Sequence, residues 1–91
     1  MPFINEHAVR LIDPDKIKPK SFKRTWGSGA LLVQGVKIPK TIGIIWGNLK
    51  ENNDFVAQSL RFPVEKWTKK EVLKWVYSHN IIFINHIYNF S

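Results

Sequence analysis

The stretch "TIGIIWGNLKENNDFVAQSLRFPVEKWTKKEVLKWVYSHN", Thr41 to Asn80, changes its hydrophobic period part-way along, from two residues to about 3.6. In "TIGIIWGN" the residues Ile42, Ile44 and Trp46 share one face of an extended chain. In "DFVAQSLRF" Val56, Leu60 and Phe62 share one face, and Phe55, Ala57, Ser59 and Arg61 the other. "LKENND" between them is polar and breaks β structure, so the two segments read as an antiparallel hairpin.

The second half of the stretch reads as a helix from Trp67 to His79. Thr68 with Glu71 forms a capping box, in which each side chain satisfies an orphan backbone N–H of the first turn, with Trp67 and Val72 placed as a hydrophobic staple. Val72, Leu73, Trp75, Val76 and His79 lie along one broad face, while Lys70, Lys74 and Ser78 point away. Asn80 suits the left-handed residue beyond the last turn.

Outside this stretch, "HAVRLI" (His7 to Ile12) alternates as a short strand, and "DPDKIKP" stops it. A lysine-rich loop follows. "GALLVQGVKI" (Gly29 to Ile38) is either one bulged strand or a small hairpin turning at Gln34-Gly35, and "IIFINHI" (Ile81 to Ile87) fits a final strand. The expected fold is a single α+β domain spanning residues 1–91. In it a small, mostly antiparallel sheet of four to five strands has one helix packed on one face. The ends, Met1 to Asn5 and Tyr88 to Ser91, read as the least ordered parts.

Composition bounds the chemistry. The 91 residues suffice for one modest core, and an apolar fraction of 44% is that of a folding chain. Without cysteine there is no disulfide, thiolate zinc site or cysteine nucleophile. An intracellular, cytoplasmic setting is the simplest reading, and no apolar run reaches the roughly 20 residues a bilayer span needs.

Catalytic constellations are absent from the pattern. His7, His79 and His86 lack metal-protease spacing and read as packing or edge residues. Asp15-Lys16 is a fragment of a nuclease pattern, but Asp13-Pro14-Asp15 reads better as a capped turn. Gly27 and Gly29 lack the rest of a phosphate-binding fingerprint. The expectation is therefore no enzyme, no catalytic residue, no metal and no cofactor.

The charge balance points elsewhere. Fourteen Lys and Arg against seven Asp and Glu give +7, which draws polyanions toward the chain whatever its fold. In "KIKPKSFKRTW" Lys16, Lys18, Lys20, Lys23 and Arg24 come without an intervening acid, beside Phe22 and Trp26. Cations along an irregular backbone track phosphates, and such rings stack unpaired bases. The bland alternative is a solvated loop anchored to the core by Phe22 and Trp26. The recurrence of cations on other elements, at Lys37, Lys40, Lys66, Lys69, Lys70 and Lys74, favours the first reading, and because lysines at a helix N-terminus oppose the macrodipole, local stability does not account for Lys69 and Lys70. Arg61 belongs either to an open sheet platform with Phe55 and Ser59 or to a pair with Glu6 or Asp54 at a sheet edge. One helix with outward lysines does not suit a base-reading duplex binder.

The pieces "HAVRL-DP", "SFKRTW", "GIIWGNLK", "AQSLRFP" and "KWTKKEVLKWVYSH" resemble a small domain of phages and proviruses, sometimes found beside or fused to capsid-maturation protease modules. The likeness spans His7 to about His79. The protease nucleophile is missing, so no catalytic residue carries over. The resemblance implies a viral or mobile-element origin, with DNA handling or particle assembly as the role. The expected function is a non-enzymatic nucleic-acid binder of little sequence preference, favouring single strands and DNA over RNA. Its surface would comprise Lys16, Lys18, Lys20, Phe22, Lys23, Arg24, Trp26, Arg61, Lys69, Lys70 and Lys74. The alternative is an assembly module that meets an acidic protein, and a homodimer through an exposed strand edge stays open.

Overall fold

The structure, a computed structural model, describes residues 5–87, with side chains through Ile84. The chain runs β1 (Glu6–Arg10), two 3-10 turns (Pro14–Lys16 and Pro19–Ser21), β2 (Lys23–Trp26), β3 (Leu32–Val33), β4 (Val36–Lys37), β5 (Gly43–Asn48), β6 (Phe55–Pro63), α1 (Lys69–Ser78) and β7 (Asn85–Ile87). Five strands form one antiparallel sheet in the order β2-β5-β6-β1-β7, and β3-β4 forms a separate hairpin. The expected α+β architecture is what the chain adopts. Its Cα radius of gyration, 12.6 Å, matches the roughly 12 Å of a compact chain of this length.

The β5-β6 hairpin forms where its periodicity predicts. Its loop is held by Leu49 N–H to the Asp54 carbonyl (2.9 Å) and by an Asn52 side chain accepting from Asp54 N–H (3.0 Å). One residue breaks the pairing: Ile45 lies opposite Ser59, and the next residue, Trp46, opposite Ala57. Gln58 is the extra residue of a bulge. Its carbonyl accepts from Leu11 and Ile12, and its side chain donates to the Ile12 carbonyl at 2.9 Å. This corrects the face assignment. Beyond the bulge the parity reverses, so Phe55 and Ala57 join Leu60 and Phe62 on the helix side, and Phe55 stacks on Trp46 (centroids 5.3 Å apart). Phe55 therefore shares no platform with Ser59 and Arg61.

The helix starts as expected. Thr68 accepts from Glu71 N–H at 3.2 Å, and Glu71 accepts from Thr68 N–H at 2.9 Å. Both Trp67 and His79 fall just outside it, and Asn80 is left-handed with φ 55°. Val72 and Val76 are fully buried against Val9, Ile44, Leu60 and Phe62. Phe62 meets Trp67 and Trp75 edge-on, at 5.1 and 5.9 Å. His7, buried, donates from Nε2 to the Trp67 carbonyl (3.1 Å), and His79 stacks on Trp75 at 4.3 Å. His7 is a packing histidine, while His79 is exposed and lies against the Trp75 ring; the His86 side chain lies outside the described residues.

"GALLVQGVKI" resolves as the hairpin. Gln34 and Gly35 both have positive φ, 52° and 77°, as a two-residue type I′ turn requires. The Gln34 side chain latches it to the chain after the helix, donating to the Ile82 carbonyl and accepting from Ile82 N–H, both at 2.8 Å. The final strand is shorter than the Ile81–Ile87 expectation, since only Asn85–Ile87 pairs with β1.

Candidate nucleic-acid interface

With the helix on one face of the sheet, strand alternation places Glu6, Ala8 and Arg10 of β1 on the other face, with Ser59 and Arg61 of β6, Gly43 and Ile45 of β5, and Arg24 and Trp26 of β2. Ala8, Ile45 and Ser59 are nonetheless buried, and each lies opposite an arginine in the ladder: Arg61, Arg24 and Arg10 in turn. Gly43 makes room for one of them: a Cβ there would sit 2.9 Å from Arg24 Nη2.

The Arg24 guanidinium grips the buried Glu6 carboxylate with both of its terminal nitrogens, Nη1 donating to Oε1 at 3.0 Å and Nη2 to Oε2. Its Cζ also lies 4.9 Å from the centroid of the Trp26 ring, a cation–π contact. Arg61 donates from Nε to Ser59 Oγ at 3.2 Å. Burial holds the Arg61 pKa below its ordinary value; Glu6 opposes this, while the charges of Arg24 and Arg10 add to it. Arg10 makes no side-chain hydrogen bond or ion pair among the described residues.

These groups surround an open concavity of about 580 Å³, whose walls include Arg10, Arg24, Arg61, Lys23 and Phe22. Among the described residues, three arginines less Glu6 leave +2 on this face, and Lys23 at the rim raises it to +3. An anion entering would relieve the mutual repulsion of the guanidiniums. Their planar forks match the paired oxygens of a phosphate. Phe22 and Trp26 are 40% and 50% exposed, so part of each ring is open to a base.

The expected surface is thus divided. Phe22, Lys23, Arg24 and Arg61 converge on the concavity, with Trp26 adjoining through Arg24. Lys18 instead donates to Asn53 Oδ1 (2.7 Å), and Lys16 lines a separate cleft with Asp15, Lys50 and Glu51. Lys20 is exposed on the second 3-10 turn. The helix lysines, Lys69, Lys70 and Lys74, are exposed on the helix side of the sheet, so they do not extend the arginine face. β6 lies inside the sheet, between β5 and β1, so Arg61 is not at an edge as the pairing alternative supposed; the carboxylate near it is Glu6.

Arg10 is the addition that sequence reading missed. Its signal was the alternation of "HAVR", which puts Arg10 on one side with Glu6 and Ala8. Asp13, as the turn reading expected, accepts from Asp15 N–H at 2.9 Å and caps the first 3-10 turn. Among the described residues no group of three or more His, Asp or Glu side chains is placed to hold a metal ion, and no helix is long and apolar enough to cross a membrane. Comparison with protein-family models, with curated proteins and with solved structures finds no match.

Proposed function

We propose that the chain is a non-enzymatic nucleic-acid-binding protein of little sequence preference that holds a single strand, DNA in preference to RNA, on the open face of its sheet. One observation carries this reading: Arg10, Arg24 and Arg61 crowd one concavity, beside the Glu6 carboxylate that Arg24 holds and with exposed rings at Phe22 and Trp26. Guanidiniums serve the phosphates, and the rings suit bases that are free to unstack. Lys16, Lys18, Lys20, Lys69, Lys70 and Lys74 supply the wider field that draws the strand in.

Fluorescence anisotropy of labelled single-stranded and duplex DNA of one sequence, across a salt series, tests this. The expected log–log slope is roughly −3 to −5 for four to six phosphates, with the single strand bound more tightly. Arg10→Ala with Arg61→Ala is expected to flatten the slope by roughly 1.5, and replacing Lys69, Lys70 and Lys74 by Ala to leave it nearly unchanged. Loss of all binding near about 0.15 M salt sinks the reading. The cationic face would then fit an acidic partner protein, the particle-assembly role implied by the phage likeness.

A further inference from the structure

A second cleft opens beyond Trp26. Its volume is about 350 Å³, and its lining is Trp26, Lys40, Thr41, Pro63, Glu65 and Lys66. Trp26 stands between the two concavities: Arg24, a wall of the first, lies against its ring, and the ring itself lines the second. Lys40, Glu65 and Lys66 are exposed and make no side-chain hydrogen bond or ion pair among the described residues.

We propose that this cleft is a nucleotide subsite with a bias toward bases that carry an exocyclic amino group. This rests on the strand-binding reading above. A strand whose phosphates lie among Arg10, Arg24 and Arg61 meets Trp26 as the next feature of the surface, and a base stacks there. Lys40 and Lys66 take the following phosphate. Glu65, the one carboxylate that lines the cleft among the described residues, repels phosphate but accepts a hydrogen bond from an amino group such as N4 of cytosine. Uracil presents a carbonyl oxygen at that position, which repels a carboxylate facing C4, and its only donor, N3–H, lies one ring position away.

The test uses two single-stranded hexamers, one of deoxycytidine and one of deoxyuridine, whose bases differ at C4, amino or carbonyl, and at N3, acceptor or N–H donor. The wild-type protein is expected to bind the cytidine hexamer roughly threefold to tenfold more tightly, the worth of one added hydrogen bond. Glu65→Gln, whose amide both donates and accepts, is expected to bring the two close to parity. Lys40→Ala with Lys66→Ala is expected to weaken both hexamers by a similar factor. Equal binding by the wild type, or a ratio that Glu65→Gln leaves unchanged, overturns the subsite while leaving the strand-binding reading intact. If neither hexamer binds at low salt, both fall together.

Discussion

Glu6 does two opposed things at the arginine face. Its carboxylate accepts both Arg24 hydrogen bonds and so fixes that guanidinium against the Trp26 ring, yet it also cancels positive charge that a phosphate would otherwise meet. Glu6→Gln separates the two effects. Binding of single-stranded DNA at low salt is expected to tighten, roughly threefold to tenfold, because one more cation is left uncompensated. Stability is expected to fall by about 1–3 kcal/mol as charged hydrogen bonds become neutral ones, which thermal unfolding measures. If affinity instead drops in step with stability, Glu6 acts only by holding Arg24 in place. Lys23 and Arg24 were legible from sequence as cations of one basic segment, but the Glu6 carboxylate that pairs with Arg24 was not, because it lies on another strand. Arg10 was not, because its place on the face depends on the register that sets it opposite Ser59.

Helix α1 and strand β6 differ in how far their causes reach. The capping box is made between Thr68 and Glu71, so the sequence alone exposes it. Thr68→Ala is expected to cost about 1 kcal/mol and to lower the melting temperature by about 4–8 °C. Hydrogen bonds from the Thr68 backbone, and then its side chain, hold the exposed Glu71 carboxyl below its ordinary pKa. A lowered carboxylate pKa stabilises the fold above the unfolded value, and that contribution disappears as pH falls through the folded one. Thermal unfolding at a series of acidic pH values is therefore expected to show a shallower decline for Glu71→Gln, which removes the titrating group, than for the wild type. An identical slope would mean the cap does not bind the ionised form preferentially. The β6 bulge is the contrary case. Gln58 leaves the ladder to hold Ile12, 46 residues away, and no local pattern in "DFVAQSLRF" announces that partner. Strict alternation therefore put Phe55 on the wrong face.

At the scale of the molecule, the sheet separates two cationic populations that look continuous in sequence. Composition revealed the total charge and the 3.6-residue period revealed which side the helix covers, but only the assembled strand order shows that Arg10, Arg24 and Arg61 meet. That same order bears on how the chain is built. Strand β1 pairs with β6 and β7 alone, so its Glu6–Arg10 backbone has no sheet partner until the chain has been made past Ser59. β5 and β6, by contrast, are close neighbours in sequence and close their loop at little entropic cost. Val9→Ala, which removes buried methyl groups from β1, is expected to cost about 2 kcal/mol and to appear mainly as faster unfolding. Ile44→Ala in the hairpin is expected to slow folding instead, as stopped-flow chevrons would read. Slower folding in both variants would place β1 in the nucleus. If β1 does dock late, a ribosome releases it well before its partners exist, and the arginine face is the last surface of the protein to be completed. A nascent chain would then carry its charge long before it carries its site.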